Sequence, residues 1–323
     1  MSKFKSQLKR LLATHRPSHP PIFLVATPRG GSTWLAELIW SQPSMRFVNE
    51  PFNIRRHEVA SGLGIVRWSE LYSRDVERRF DPYLDAVIAG KNRSSDVLPL
   101  KQWRRIGWRL RTDRTLLKII HAGSNLIPWM CTRFGGRAVL MLRHPLATAV
   151  SRKVFPFLGE VQDSHLFDSL SAEQREVCEE TLRSSNAIEK GVLAWCLFMA
   201  PALRNNSQDV LVVTYEQLVV DPEPVLEALG THLDLPDLAR MREALMVPSL
   251  SSFLCDEVSI DALNERKISD RAQVLLSKWR RFVSADEEVR VMSVLKAFGL
   301  SAYKAGDLLP DKALWIDGGP AAG

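Results

Sequence analysis

The sequence predicts an α/β fold, a central and mainly parallel sheet flanked by helices. Three observations lead there. Residues Ile22–Ala26 form an unbroken apolar run, as in a strand buried on both faces. A glycine turn and then a helical pattern follow it directly. Further apolar runs recur at 116–120, 138–142 and 210–214, with helical periodicity between them, and that alternation belongs to layered α/β domains.

Taken in order, residues 1–20 read as a basic amphipathic helix or arm followed by a Pro-rich entry, Pro17, Pro20 and Pro21, into the domain. One domain is expected to run over 21–317. Its first strand, 22–26, leads through the turn Thr27–Thr33 into a helix over 34–40. Residues 53–115 are polar, Arg-rich and punctuated by Trp68, Trp103 and Trp108, which suggests a mostly helical insertion over the sheet. Strands follow at 116–120 and 138–142, a helix at 145–154, a longer one at 184–204, a strand at 210–214 and a helix at 222–233. From about residue 237 the pattern is helical, and 318–323 read as a disordered tail. There is no internal repeat.

With 323 residues, 46% of them hydrophobic, the chain can bury a sizeable core. No apolar run reaches the roughly 18 residues of a membrane span. The basic amino terminus lacks the apolar stretch of a secretory signal. Cys131, Cys178, Cys196 and Cys255 are scattered without a disulfide-like framework. A reducing, cytoplasmic setting is the expectation, with contact at a membrane surface as an open addition. The net charge of +6 favours anionic partners: nucleotides, sulfated or phosphorylated groups, nucleic acid or an anionic membrane.

The turn after the first strand is the first candidate site. A glycine turn between a strand and a helix aims backbone N–H groups and the positive end of the helix dipole at an anion. Arg29 adds a permanent cation, Gly30 and Gly31 the tight backbone, and Ser32 and Thr33 hydroxyls. The triphosphatase form, G-x-x-x-x-G-K-[ST], is missing, which counts against an ATP-dependent kinase. The string Pro28-Arg-Gly-Gly-Ser-Thr-Trp34 resembles the 5′-phosphosulfate loop of sulfotransferases, where Pro-Lys/Arg-Ser-Gly-Thr/Ser-Thr/Ser-Trp/Phe is usual. A second segment lies about 110 residues on: a buried strand, Arg143 at its end, and Ser151 on the helix beyond. An arginine fork matches phosphate oxygens. The segment is similar to the family's 3′-phosphate motif, Arg-Asp-Pro-x-x-x-x-x-Ser, with His144 where Asp is common. A third, Val213-Thr-Tyr-Glu-Gln-Leu-Val-Val-Asp-Pro222, is similar to the family's Tyr-Glu-Asp-Leu…Asp-Pro segment. Lys278-Trp-Arg-Arg-Phe282 resembles a helix start of carbohydrate sulfotransferases, whereas only Arg266-Lys267 echoes the Arg-Lys-Gly segment of the cytosolic enzymes.

The resemblance covers roughly residues 21–52, 116–155 and 190–235, with a trace at 278–300. It implies a P-loop-like three-layer fold and 3′-phosphoadenosine-5′-phosphosulfate (PAPS) as co-substrate, leaving 3′-phosphoadenosine-5′-phosphate (PAP). It also implies that Arg29, Gly30, Gly31, Ser32, Thr33, Trp34, Arg143, Ser151 and Tyr215 bind the nucleotide, Tyr215 near the adenine. In-line sulfuryl transfer needs cations around the transferred group and a base for the acceptor hydroxyl, but no metal. Arg29 is expected to stabilise the leaving phosphate. Glu50, in Arg46-Phe-Val-Asn-Glu50-Pro-Phe52, looks like the Glu-Pro of carbohydrate sulfotransferases and is the chosen base; Glu37-Leu38 and Pro43 support that alignment. His121 is the rival, standing before Arg143 at the interval of the cytosolic enzymes' catalytic histidine, and is expected to line the acceptor site. Lys118 either contacts the sulfuryl group or is structural. The Glu-Pro type implies a sugar, glycan or glycolipid acceptor. Arg55, Arg56 and the segment Lys101–Arg111, which interleaves tryptophan and arginine, form the hypothetical acceptor wall; the plainer reading of that segment is a solvated basic helix. Two other functions stay open: a P-loop metabolite kinase using ATP, and a non-catalytic nucleotide- or nucleic-acid-binding protein. Glu50 near an intact loop favours turnover, so no nucleic-acid partner is expected.

Overall fold

The computed structural model describes residues 17–97, 112–122, 124–152, 154–204, 207–247 and 268–316. The amino-terminal arm up to residue 16, the segment Lys101–Arg111 with Trp103 and Trp108, Cys255, Arg266-Lys267 and the tail lie outside the described residues.

Among the described residues five strands form one sheet, every pairing between them parallel: β1 (Ile22–Ala26), β2 (Met45–Asn49), β3 (Arg114–Ile119), β4 (Arg137–Leu142) and β5 (Val210–Thr214), in the order β2-β3-β1-β4-β5. The helices are α1 (Ser32–Trp40), α2 (His57–Leu63), α3 (Val76–Ile88), α4 (Ile127–Phe134), α5 (Pro145–Val150), α6 (His165–Asp168), α7 (Ala172–Arg183), α8 (Ala187–Arg204), α9 (Tyr215–Val220), α10 (Pro222–Leu233), α11 (Leu238–Leu245), α12 (Ile268–Ser277) and α13 (Ala285–Ala297).

Period-two alternation along the strands makes the three layers, because successive side chains point to opposite faces. Ile22, Leu24 and Ala26 of β1, with Val139 and Met141 of β4, pack under Leu35 and Ile39 of α1 and Leu226 and Leu229 of α10. Phe23 and Val25, with Leu140 and Leu142, pack on the opposite side against Phe80 of α3, Met130 of α4 and Trp195 of α8. All of β1 is buried, which is why it reads as an unbroken apolar run.

Boundaries moved where side chains intervene. The expected helix 145–154 stops at Val150, because the Ser151 hydroxyl bonds back to the carbonyls of Ala147 (3.0 Å) and Thr148 (3.2 Å) and Pro156 follows closely. The expected helix 184–204 is α8, which begins at Ala187; the separate helix α7 ends just before it at Arg183. Asn186 sets that start by accepting the N–H groups of Ile188 (2.8 Å) and Glu189 (3.3 Å), an amino-terminal cap that separates α8 from α7. The described part of 53–115 supplies α2, a 3-10 turn at Trp68–Tyr72 and α3. No helix among the described residues is long and apolar enough to cross a membrane.

The order of the strands decides where a ligand can sit. The chain runs from β1 out to the edge strand β2, returns through β3, crosses over β1 to β4 and ends at β5. Parallel sheets of this kind bind ligands outside the carboxyl ends of the strands, where the order reverses. Glu50, Lys118, His121, Arg29, Arg143 and Tyr215 all lie at or just beyond those ends.

Candidate active site

The loop after β1 is held by its own backbone. Gly30 N–H donates to the Thr27 carbonyl (3.0 Å), and Arg29 and Gly31 adopt positive φ, 67° and 86°. Gly31 is needed twice over. Besides that backbone, a Cβ there would stand 2.6 Å from Tyr215 Cδ2 and 2.9 Å from Met141 Cε. Gly31 precedes α1 and contributes no side-chain cap, which leaves the helix start to an anion.

Arg143, one residue past β4, ties the loop to the far side of the sheet. Its Nη1 donates to the Arg29 carbonyl (3.0 Å), and its guanidinium lies 4.2 Å from the centroid of the Tyr215 ring. Trp34 meets that ring edge-on at 5.9 Å. Ser151 stands at the other end of α5, about 9 Å of helix away, and its hydroxyl is spent on its own helix.

The turn that carries Arg143 is anchored by residues with no role legible in the sequence. The buried Glu216 carboxylate accepts the His144 N–H (2.9 Å) and the Tyr303 hydroxyl (2.8 Å). Burial raises the Glu216 carboxyl above the ordinary range and raises the Tyr303 phenol further. Trp195 Nε1–H donates to the Arg143 carbonyl (3.0 Å). His144 takes over the capping work an aspartate would do: its Nδ1 accepts the Leu146 N–H at 3.3 Å. Its ring stacks on Trp279 at 4.7 Å and 17° and meets Tyr303 edge-on at 5.0 Å. Burial pushes the imidazole down to about 3, so it stays neutral, and a buried carboxylate in that aromatic cage would be costly.

The other side of the loop holds Glu50, Lys118 and His121. Glu50 has φ 55° just beyond β2, and its N–H donates to the Lys118 carbonyl (2.8 Å). The residues after it fix that turn: Tyr83 hydroxyl donates to the Pro51 carbonyl (2.8 Å) and Arg56 Nη1 to the Asn49 carbonyl (2.8 Å). Lys118 lies on the α1 face of β3, where period two puts it with Leu116. Its ammonium donates to Thr33 Oγ1 (3.1 Å) and sits 3.5 Å from Glu50 Oε1. Burial lowers the Lys118 ammonium against the pull of Glu50. Burial alone would raise Glu50. Lys118, the hydrogen bond from Asn53 (2.9 Å), His121 and Arg56 outweigh it and hold the carboxyl below its usual range. His121 is driven down to about 4 by burial, then by the cation of Arg152, and its ring leans on Trp68 at 4.8 Å.

Arg29, Glu50, Asn53, His121, Ser151 and Arg152 border a cleft of about 390 Å³. Behind it lies a recess walled by Trp68, Tyr72, Phe155, Phe157, Trp195 and Phe198, nearly filled by its own side chains, with about 50 Å³ of room. The predicted residues thus divide. Arg29, Glu50, His121 and Ser151 share the cleft, Lys118 links Glu50 to the loop, and Arg143 and Tyr215 are gathered on the opposite flank. Of the hypothetical acceptor wall, Arg55 borders the cleft and Arg56 is engaged with Asn49; the remainder lies outside the described residues. No metal-holding group of His, Cys, Asp and Glu occurs among the described residues.

The family model described as a sulfotransferase domain matches residues 19–286. Among solved structures, the chain is similar to a mouse sulfotransferase complexed with PAP, at 16% identity over 90% of this chain and 88% of that one, with a TM-score of 0.40. It is similar to a sulfotransferase domain from the curacin biosynthetic pathway, at 15% identity over 88% and 99%, TM-score 0.41. A third, the sulfotransferase domain of a Synechococcus olefin synthase, is 17% identical over 90% and 98%, TM-score 0.40. No curated protein matches the sequence.

Proposed function

The chain belongs to the sulfotransferase family, and from that premise we propose that its cleft moves the sulfuryl group of PAPS onto a hydroxyl of a sugar, glycan or glycolipid, with Glu50 as general base. One observation carries the assignment of the base. Lys118 Nζ bridges the phosphate loop, through Thr33 at 3.1 Å, and Glu50 at 3.5 Å. A sulfuryl group seated against the loop then has a cation beside it and a carboxylate facing the incoming hydroxyl.

Each part has a definite task in this reading. The loop N–H groups, Arg29, Ser32 and Thr33 hold the 5′-phosphosulfate, Arg143 holds the 3′-phosphate, with Ser151 joining it once its hydroxyl turns from its own helix to the ligand, and Trp34 and Tyr215 border the adenine. The acceptor oxygen forms a bond to sulfur while the bond from sulfur to the phosphate oxygen breaks. The electron pair stays on the phosphate, where Arg29 meets the charge, and the hydroxyl proton passes to Glu50. Glu50 is ionised at neutral pH and so can receive it. Its basicity is held down by Lys118, and an anionic sulfuryl group that draws the ammonium away restores it.

The sugar class rests on the Glu50-Pro51 pair, which Tyr83 and Arg56 hold in place by its backbone. A cytoplasmic setting is part of the same proposal, supported by Cys131, Cys178 and Cys196, all buried free thiols. The kinase alternative is not favoured, because the loop lacks the Gly-Lys pair that would meet ATP.

Calorimetry with PAP, with ADP and ATP as controls and EDTA present, tests the proposal. PAP should bind, ADP should bind far more weakly, and Arg143→Ala should weaken PAP by about tenfold to a hundredfold, the worth of a lost charged hydrogen bond. Equal affinity for PAP and ADP would sink the nucleotide assignment.

A further inference from the structure

We propose that Arg152, together with Arg55, forms an anion-recognising subsite in the cleft, so that the acceptor carries an acidic group beside the hydroxyl that Glu50 serves. This inference rests on the transfer reading and adds to it the charge of the substrate.

The cleft is unbalanced. Arg29, Arg55 and Arg152 border it, against one carboxylate, Glu50. That carboxylate is already neutralised from below by Lys118 at 3.5 Å. The donor nucleotide accounts for Arg29, which belongs to the phosphate loop. Arg55 and Arg152 are left over.

Arg152 is the telling member. It is half-buried, and it borders both the cleft and the aromatic recess behind. Its Nε donates to the Val154 carbonyl (2.8 Å), and its guanidinium lies 5.0 Å from the centroid of the Phe155 ring. No carboxylate lies within ion-pair distance of it among the described residues. Burial and the field of Arg55 bring it down to about 10. A guanidinium in such a place has given up water without gaining a counter-ion. The remaining N–H donors of its planar fork suit a carboxylate, or a sulfate already on the acceptor. The recess has too little room for such a group, so the acid is received in the open cleft, where exposed Arg55 also stands.

The acid can sit on a sugar or on another hydroxylated skeleton, and matched probes separate the two. Protein loaded with PAP is titrated by calorimetry with methyl glucuronide against methyl glucoside, and with para-hydroxyphenylacetate against its amide. The acid should bind at least about tenfold more tightly than its neutral mate in one arm, and that arm names the skeleton. Arg152→Gln should abolish the preference and leave PAP affinity unchanged; the exposed Arg55→Gln, which tests the idea without touching a half-buried side chain, should reduce it. Equal binding of acid and neutral probes, or binding of neither, overturns the proposal while tight PAP binding preserves the transfer reading. A preference that survives both substitutions overturns it as well. A loss of PAP affinity in Arg152→Gln reassigns the residue to the nucleotide and also overturns it. Failure of the wild type to bind PAP removes the transfer reading and this proposal together.

Discussion

The two flanks of the phosphate loop are built on different terms. On the Arg143 flank the turn is held by directional hydrogen bonds: Glu216 serves the His144 N–H and Tyr303, Trp195 serves the Arg143 carbonyl, and His144 caps its own helix, while His144 Nε2 and Trp279 Nε1 are buried without a hydrogen-bond partner among the described residues. On the Glu50 flank, charges are held by opposing fields. Glu50 is kept low by Lys118, Lys118 is lowered by burial, and Arg152 has no carboxylate within reach among the described residues. Directional buried hydrogen bonds fix one geometry, whereas loosely balanced charges can be redistributed when a ligand arrives. The first suits a nucleotide that is always the same; the second suits a reacting group and a variable acceptor.

Substitutions can break this contrast or sharpen it. The largest effect should come from Glu50→Gln, expected to lower kcat by about 10²–10⁴ while leaving PAP affinity and melting temperature nearly unchanged. The matching His121→Asn variant decides between the two bases: a comparable loss there, with Glu50→Gln mild, would transfer the role to His121. Gly31→Ala should cost about 1–3 kcal/mol in stability and weaken PAP binding strongly, because it strains a positive φ and drives a methyl group into Tyr215. Thermal unfolding and calorimetry read both effects, and an unaltered variant would mean that the loop is softer than its contacts imply. Glu216→Gln should cost about 1–3 kcal/mol, since the oxygen that accepts the Tyr303 hydroxyl becomes an NH2 group and that charge-assisted bond is lost. A fall in melting temperature together with a raised KM for PAPS is expected; a fall in neither would show that the Arg143 turn does not depend on this network. The smallest effect is a flat line. A base must be deprotonated to act, Glu50 is held below its usual range and His121 stands at about 4, so kcat/KM should be level from about pH 5 upward and drop below it whichever residue is the base. A limb near pH 6.5 would place an unshifted histidine in the reaction.

What the sequence revealed follows the same division. The loop and Arg143 could be read because each is a local strand-turn-helix pattern, complete within a few residues. Glu50 and Lys118 could be named, but not the 3.5 Å between them or the bond from Lys118 to Thr33, 85 positions earlier. Glu216, Trp279 and Tyr303 carried no legible role, because their task exists only once distant segments meet; Glu216 lies 72 positions from His144 and 87 from Tyr303. Periodicity located the three central strands and the edge strand β5, and it missed the helix boundaries at Ser151 and Asn186, where one side chain bonding its own backbone ends or starts a helix. Arg152 stood beside Ser151 in the quoted motif without any signal of its own, since facing Arg55 across a cleft is a property of the fold.

The bond from Tyr303 to Glu216 also sets an order of events. β1 leaves the ribosome early, yet its neighbour β3 begins about 90 residues later and β4 later still. The flank that grips the donor is finished only when Tyr303 has been synthesised and has reached Glu216. Donor binding is therefore a late event in the life of the nascent chain. Until β3 and β4 emerge the growing protein presents an unpaired parallel strand, and until Tyr303 arrives an uncovered carboxylate, stages at which a partly made chain is exposed to aggregation.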